Sequence, residues 1–452
     1  MCDVDKVIQI DELPDDVLLE IFDFYMGVNP YYNTDVEAWQ SLVHVCRRWR
    51  SLVFGSASRL NLRLICTPET PARDILDVWP AFPILIRGNT FFTSGVDDVI
   101  VALEQNNRVC EVSLSGLANR QLQEILVAMQ VPFPELTQLR LFSGGGTLPV
   151  VPDSFLGGSA PQLLFFQLDG IQFPGLPKLL SSATHLVCLY LPDIPDSAYI
   201  SPKAMAALLS VLSSLEELFL GFQPQLHLDW EGRPPPPPKR SAIRTLTHFI
   251  FKGFNKYLED LVAFIDAPKL DRLFITSYSQ IYFDGPQLAQ FISRTPILEG
   301  CGAEVKFDDS FARVGLNFSS KHFEIGNSCG DPNGQFSFVA QVCNSCLPPL
   351  STIEVLYIEH RYRKNDSIKN TLWLELLHSF PAVKNLYLSK DFAPGIVAAL
   401  KEVVGTEVLP SLQNIFVQAL EPSGPFQEIF GQFIAARESS GHSITISVWD
   451  GY

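Results

Sequence analysis

A short phrase in which apolar and polar residues alternate recurs about a dozen times along this chain of 452 residues. Each copy loosely fits L-x-x-L-x-L, and alternation with a period of two predicts a short strand with one buried face. The copies cover residues 110–117, 136–144, 161–171, 184–194, 213–222, 246–254, 268–278, 319–328, 351–360, 381–390, 410–420 and 442–452. Because one such unit cannot bury its own apolar face, the copies predict an array of stacked units.

Segments with apolar residues at helical spacing lie between these copies. They cover residues 96–104, 121–129, 176–182, 202–212, 258–265, 287–293, 338–343, 372–380, 395–404 and 426–437. Ser201 followed by Pro202 predicts a helix start, with Ser201 as the N-cap and proline at the first helical position. The alternation predicts an α/β solenoid with parallel short strands on its concave face and helices on its convex face.

The spacing between copies, typically about 24 to 33 residues, resembles that of leucine-rich repeats. The asparagine or cysteine that closes the repeat consensus is mostly missing, and residues 299–321 break the phase where a further degenerate repeat could fit. A doubly wound α/β domain is the alternative. It needs glycine-rich phosphate loops after its strands, and the sequence has none.

A proline-rich stretch interrupts the repeats at residues 223–241, QPQLHLDWEGRPPPPPKRS. Consecutive prolines cannot join a strand ladder and adopt an extended, solvated helix. The stretch therefore predicts a stiff surface loop, with a ligand for an SH3-like or WW-like groove as the alternative.

The N-terminal segment predicts a helix that starts at about Pro14, since proline suits the first helical position. Asp15 and Asp16 complement the positive end of the helix dipole there. The apolar stripe of this helix consists of Val17, Leu18, Ile21 and Phe22. The segment from Trp39 to Trp49 predicts a second helix, with three arginines in its last turns at the negative end of the dipole, namely Arg47, Arg48 and Arg50.

This helix pair resembles the F-box, the module that ties a substrate receptor to the Skp-type adaptor of an SCF ubiquitin ligase. The resemblance rests on Leu13-Pro14, on the apolar stripe and on the run Leu42-x-x-Val45-Cys46-Arg47-x-Trp49-Arg50. It implies an adaptor-binding site made of Leu13, Pro14, Val17, Leu18, Ile21, Phe22, Val45, Cys46 and Trp49. The loop at residues 26–37 is longer than in a compact F-box, and an ordinary helical hairpin packed on the following domain is the alternative.

The resemblance extends beyond this hairpin. Residues 60–86, 246–273 and 287–299 are similar to the large mushroom-type fungal F-box family, whose members continue into divergent leucine-rich repeats. It implies an F-box domain at residues 8–60, a repeat domain at residues 61–452 and the role of a substrate receptor. It names no substrate.

Composition excludes several other classes. A net charge of −16 disfavours a nucleic-acid partner, because such binding relies on Lys and Arg neutralising phosphates. No apolar run approaches the ~18 residues that cross a bilayer, and the N-terminus lacks a signal-peptide core, so we expect a soluble intracellular protein and no membrane partner. Nine scattered cysteines indicate reduced thiols.

Catalytic motifs are missing from the sequence, which has no HExxH, GxSxG or P-loop. Cys343 and Cys346 have a metal-like spacing, but zinc needs two more ligands and no convincing pair is present. Asp308-Asp309 fits a turn better than a catalytic dyad. We therefore expect no enzyme activity, no catalytic residue, no metal and no cofactor.

The functional hypothesis is a non-catalytic receptor subunit of an SCF-type, cullin-RING ubiquitin ligase that holds an unidentified target protein near the conjugating enzyme. Leu13, Pro14 and Leu18 are expected to face the adaptor, and Trp49 to join the core. Polar residues beside the strands are candidate target contacts, namely Glu216, Glu217, Asp271, Arg272, Glu354, Lys384 and Asn385. The alternative is a leucine-rich-repeat scaffold without a role in ubiquitination, whose N-terminal hairpin caps the solenoid.

Overall fold

The computed structural model divides the chain into two compact units, Met1–Phe166 and Gln167–Tyr452. It describes residues 10–27, 38–69, 71–89, 96–144, 150–224, 240–278, 285–295, 302–317, 321–345, 347, 350–360, 368–403, 408–418, 425–439 and 441–450. Residues 225–239, which include the five prolines, lie outside this part of the chain, as does Cys346.

The first unit opens with a 3-10 turn at Ile10–Glu12, followed by helices α1 (Asp15–Gly27), α2 (Ala38–Val43) and α3 (Arg47–Gly55). Helix α1 begins one residue after the predicted start. Asp15 and Asp16 occupy its first turn, as predicted.

The single second helix predicted from Trp39 to Trp49 is wrong, because the chain breaks there into α2 and α3. Cys46 is in the extended conformation and caps α3, with its Sγ accepting a hydrogen bond from the Trp49 N–H at 3.4 Å. Arg47, Arg48 and Arg50 consequently lie in the first turn of a helix and not in the last. These cations therefore lie at the positive end of a helix dipole and not at the negative end, contrary to the prediction.

Four strands follow in the first unit, and they pair in parallel in the order β1-β2-β3-β4. The elements are β1 (Leu64–Cys66), α4 (Ala72–Val78), β2 (Ile84–Asn89), α5 (Asp97–Leu103), β3 (Val109–Leu117), α6 (Asn119–Ala128) and β4 (Gln138–Ser143). Strands β1 and β2 and helix α4 were not predicted from the sequence. With three residues, β1 is too short to show alternation, and the apolar run that starts β2 is continuous.

The division between the units falls inside strand β5 (Phe165–Asp169). The helices of the second unit are α7 (Leu176–Leu180), α8 (Pro202–Val211), α9 (Asn255–Phe264), α10 (Pro286–Ser293), α11 (Pro332–Ser345), α12 (Asn370–His378), α13 (Ala393–Glu402) and α14 (Pro425–Ser439). Helix α8 starts as predicted, since the Ser201 Oγ accepts a hydrogen bond from the Ala204 N–H at 3.3 Å.

The main sheet of the second unit has the strand order β6-β7-β9-β11-β14-β13-β12-β15-β16-β17-β18. Its strands are β6 (Cys188–Ile194), β7 (Glu217–Phe222), β9 (His248–Gly253), β11 (Arg272–Tyr278), β12 (Gly302–Phe307), β13 (Phe311–Asn317), β14 (His322–Ser328), β15 (Val355–His360), β16 (Asn385–Leu388), β17 (Asn414–Gln418) and β18 (Thr445–Trp449). Two short strands, β8 (Ser241–Ala242) and β10 (Ile265–Asp266), pair separately. Each predicted phrase contains a strand, so the predicted α/β repeat fold is confirmed.

Residues 302–317 depart from the all-parallel arrangement. They form a hairpin in which β13 runs antiparallel to both β12 and β14, while β11 pairs with β14 and β12 pairs with β15. Asp308 belongs to its turn, as predicted, and its Oδ1 accepts a hydrogen bond from the Ser310 N–H at 2.9 Å. The segment that breaks the repeat phase is thus an inserted hairpin and not a degenerate strand–helix repeat.

One face of the second unit's sheet packs against helices. Residues such as Leu218, Leu356 and Leu386 are buried on that face, whereas the residues that alternate with them are half-buried. The half-buried set includes Phe274 and Tyr357. We call this half-buried side of the strands the helix-free face, because among the described residues its aromatic and charged side chains are not those buried against the helices.

Glu324 on the helix-free face links stability to pH. Burial by itself raises the pKa of Glu324, but its interactions with His322 and Arg313 outweigh burial and hold the pKa below its ordinary value. The stabilising contribution is therefore fully present above the unfolded pKa of about 4.3 and is lost as the pH falls through the lower folded pKa. We expect Glu324→Gln to lose less unfolding free energy than the parent protein between about pH 6 and pH 3, measured by urea denaturation. Equal losses in both proteins would contradict this assignment.

No helix among the described residues is long and apolar enough to span a membrane. Within the same residues no three His, Cys, Asp or Glu side chains come together as a metal site. Cys343 is buried in α11.

Candidate functional site

The apolar arc of helix α1 has a buried half and an exposed half. Leu18 and Phe22 are fully buried, and the Phe22 ring lies 4.7 Å from the Trp49 ring of α3, centroid to centroid. Val17 and Ile21 lie on the adjoining side of the helix and are exposed. A helix of this kind contributes to its own core and still leaves an apolar stripe for another molecule.

The exposed half is wider than the sequence analysis proposed, because it includes Phe24 and Tyr25. Relative to Val17, these residues fall at i+7 and i+8, which places them beside Ile21 on the helix surface. The exposed fractions are 39% for Val17, 41% for Ile21, 76% for Phe24 and 50% for Tyr25. This spacing was the signal that could have identified them. We call these four residues the α1 apolar surface.

The nine residues implied by the resemblance separate into three groups. Pro14, Val17, Ile21 and Val45 are exposed, Leu13, Cys46 and Trp49 are half-buried, and Leu18 and Phe22 are fully buried. Leu18 was expected to face a partner, and it instead belongs to the core of the helical domain. Cys46 serves the fold as the cap of α3.

Arg48 fastens the start of α3 to the start of α1. Its Nη2 donates hydrogen bonds to the Leu13 carbonyl oxygen and to the Asp15 Oδ1, each at 2.6 Å. Arg50 donates from Nε to the Val43 carbonyl oxygen at 2.9 Å, at the end of α2. These contacts explain why the cations tolerate the positive end of a helix dipole: they hold the three helices together.

The two kinds of contact made by Arg48 can be separated by substitution. Asp15→Asn is expected to cost under about 1 kcal/mol, because the ion pair is solvent-exposed. Arg48→Ala is expected to cost about 1–2 kcal/mol, because it also removes the hydrogen bond to the Leu13 carbonyl oxygen. Urea denaturation of both variants measures the difference, and a larger effect of Asp15→Asn would contradict this ordering.

Trp39 anchors the N-terminal helices on the segment that follows them. Its side chain is 2% exposed, and its Nε1–H donates a hydrogen bond to the Arg63 carbonyl oxygen at 3.0 Å. Its ring centroid lies 5.0 Å from that of Trp79 and 5.6 Å from that of Phe82, in edge-to-face packing. The helical domain is therefore packed within the first unit on the residues around β1 and α4.

The candidate target contacts of the second unit lie at or just before strands β7, β11, β15 and β16. Lys384 Nζ lies 2.6 Å from Glu354 Oε1, and Asn414 Nδ2 donates to Asn385 Oδ1 at 2.7 Å. Glu217 pairs with the Tyr190 hydroxyl. Glu217, Glu354, Lys384 and Asn385 are thus held by contacts with other side chains at or beside neighbouring strands.

The family model for F-box-like domains matches residues 10–60. This segment is an F-box-like domain. The match covers α1, α2 and α3 and ends just before Arg63, the residue that Trp39 contacts. No curated protein matches the chain.

Among solved structures, the chain is similar to the leucine-rich repeat-containing protein LegL7 from Legionella pneumophila. The two chains are 14% identical, with a TM-score of 0.28, and the alignment covers 82% of this chain and 97% of that one.

Proposed function

We propose that this protein is the substrate-receptor subunit of an SCF-type, cullin-RING ubiquitin ligase. In this role the F-box-like domain binds a Skp-type adaptor, and through it a cullin, while the repeats bind a target protein. The protein then acts in the cytoplasm, the nucleus or both. Membership of the mushroom-type fungal F-box family stays a prediction from the sequence.

The observation that carries the proposal is the α1 apolar surface. Val17, Ile21, Phe24 and Tyr25 together expose apolar side chains on one helix, and Val45 is 58% exposed on the same domain. A patch of this kind on a domain whose own core is already formed indicates a binding surface. We infer that the adaptor covers it, with Pro14 at its border, whereas Leu18 and Phe22 support it from inside.

Receptor action of this kind needs no bond chemistry in the receptor itself. Holding a target beside a ubiquitin-loaded enzyme raises the effective concentration of the target's lysines, and proximity alone accelerates the transfer. The repeat units fit this task because they present a long, ordered surface on the chain that carries the adaptor-binding domain.

The alternative function, a scaffold whose helical domain only caps the repeats, is favoured by the burial of Trp39. That side chain is buried against residues that follow the F-box-like domain, as a cap requires. A cap, however, has no need for an exposed apolar stripe on its outer side. Trp39 therefore bears on the attachment of the helical domain to the residues that follow it, and Ile21 bears on the proposed adaptor binding.

Co-expression of the full chain with a Skp-type adaptor, followed by size-exclusion chromatography, tests the proposal. We expect the two proteins to co-elute as a stoichiometric complex that also recruits a cullin. Separate elution at micromolar concentrations would overturn the receptor role and leave the scaffold.

A further inference from the structure

A row of stacked aromatic rings lies on the helix-free face of the second unit. Tyr357, Tyr387 and Phe416 are register partners on β15, β16 and β17, and consecutive ring centroids are 4.4 Å apart. The interplanar angles are 20° and 11°, so the rings are nearly parallel. Trp449 of β18 lies across this row, with its centroid 5.3 Å from that of Tyr387 and its Nε1–H donating to the Leu388 carbonyl oxygen at 3.3 Å. We call these four residues the aromatic row.

A polar row runs beside the aromatic one: Asn385 and Asn414 lie two residues before Tyr387 and Phe416, and Thr445 of β18 is the register partner of Asn414. Thr445 Oγ1 donates to Asn414 Oδ1 at 2.5 Å, and Asn414 Nδ2 donates to Asn385 Oδ1 at 2.7 Å. This chain of hydrogen bonds fixes the side chains across three strands. The side chains that lie beside the aromatic row are therefore held in place by hydrogen bonds.

Side chains of β12 and β15 together supply an excess of negative charge. Lys306 Nζ lies 2.5 Å from Glu304 Oε1 and 3.3 Å from Glu359 Oε2, so two carboxylates share one ammonium group. All three side chains are no more than 20% exposed. Glu304 is the register partner of Tyr357, which places this charge directly beside the aromatic row.

A further charged group on this face, around Glu324 of β14, is balanced in a different way. Arg313 Nη1 lies 3.1 Å from Glu324 Oε2, and His322 lies 3.6 Å from the same carboxylate oxygen. That group contains one carboxylate and one guanidinium. Of these two groups, the Glu304–Lys306–Glu359 group is the one with more negative than positive charges, and it lies on the side of the hairpin that adjoins the aromatic row.

We infer that the aromatic row and the Glu304–Lys306–Glu359 group form a docking site for an arginine-bearing segment of a partner protein. A guanidinium group can donate to both carboxylates in a forked geometry, and the aliphatic stem of the arginine can pack on aromatic side chains. The net charge of −16 also favours the approach of a positively charged segment. This inference rests on the proposed function in one respect only, namely that the partner is then the ubiquitination target.

A peptide of alternating arginine and glycine, Ac-GRGRGRG-NH2 with a fluorescent label, tests the site by anisotropy with the full chain. We expect a citrulline counterpart, which keeps the shape and loses the charge, to bind at least about 10-fold more weakly. Glu359→Gln and Trp449→Leu should each weaken binding of the arginine peptide about 3-fold to 10-fold, measured at a temperature at which thermal unfolding shows each variant to be folded.

Glu375→Gln is the matched control, because it removes one exposed carboxylate from helix α12, on the opposite side of the sheet. It should leave binding unchanged. Equal losses in Glu375→Gln and Glu359→Gln would show general attraction to an acidic protein and overturn the site. Equal binding of the arginine and citrulline peptides, or tighter binding of a glutamate counterpart, would overturn it as well.

The Ile21→Asp variant separates this inference from the receptor role. It should bind the arginine peptide like the parent protein even where adaptor binding is lost. If the protein binds the peptide through Glu359 but does not bind an adaptor, the docking site is supported and the receptor role is overturned. If the protein binds an adaptor but does not bind the peptide, the receptor role is supported and the docking site is overturned.

Discussion

Ile21→Asp is expected to lower the affinity of the F-box-like domain for a Skp-type adaptor by at least about 100-fold, or about 2.7 kcal/mol. Ile21 is 41% exposed near the centre of the α1 apolar surface, between Val17 and Phe24 on the helix. An aspartate placed there would have to lose its hydration when an apolar partner covers it, without a cation to compensate. Isothermal titration with purified adaptor measures the change.

Val127→Asp provides the matched control for this prediction. Val127 lies on α6 in the same unit and is 56% exposed, so the substitution adds the same charge to a helix surface of similar accessibility. Both variants should unfold within about 0.5 kcal/mol of the parent protein, as surface substitutions usually do. Comparable loss of adaptor binding in both would show that charge alone is responsible, and unchanged binding in Ile21→Asp would remove the α1 apolar surface from the proposed interface.

The repeat array was predictable because its signal is repeated. The same alternation of apolar and polar residues recurs in each copy. A copy in which the alternation is weak can therefore still be identified as a strand from its spacing to the neighbouring copies. Strands β1 and β2, which were not predicted, lack this support, and so do the two-residue strands β8 and β10. The hairpin β12–β13 was missed for another reason: its sequence breaks the period, and only pairing across strands shows that two antiparallel strands are inserted.

The N-terminal helices show where periodicity misleads. Trp39, Leu42 and Trp49 keep helical spacing across the break at Cys46, so a single helix fits the pattern as well as two. Only the backbone conformation of Cys46 and the hydrogen bonds made by Arg48 reveal the two-helix arrangement. For the same reason the apolar stripe of α1 could be found from the sequence, but its division into core and surface could not, because burial depends on the position of α3.

In the F-box-like domain, the proposed adaptor binding and the attachment to the following segment depend on different side chains. Leu18, Phe22 and Trp39 face inward, and the first two support the helix that carries Val17 and Ile21. Trp39 holds the domain on the segment around Arg63 and Trp79. The proposed receptor role needs this attachment, because an adaptor-binding domain that moved independently of the first repeats would not hold a target in a defined position.

Trp39→Ala is therefore expected to lower the unfolding free energy of the first unit by about 3–5 kcal/mol, the usual cost of deleting a buried tryptophan. The substitution removes the edge-to-face contacts with Trp79 and Phe82 and leaves the Arg63 carbonyl oxygen without its donor. Trp39→Phe keeps an aromatic ring and should cost less, about 1–3 kcal/mol, because mainly the hydrogen bond is lost. Urea denaturation of the two variants measures both costs.

Hydrogen exchange identifies the region that Trp39 stabilises. In Trp39→Ala, the amides of α2 and α3 should exchange faster, while those of β15 to β17 in the second unit should keep their protection. Phe24→Ala is the control, because Phe24 is 76% exposed and its removal should change stability by under about 0.5 kcal/mol. A cost below about 1 kcal/mol for Trp39→Ala would contradict the anchoring role, since a buried indole that contributes so little cannot fix the F-box-like domain on the repeats.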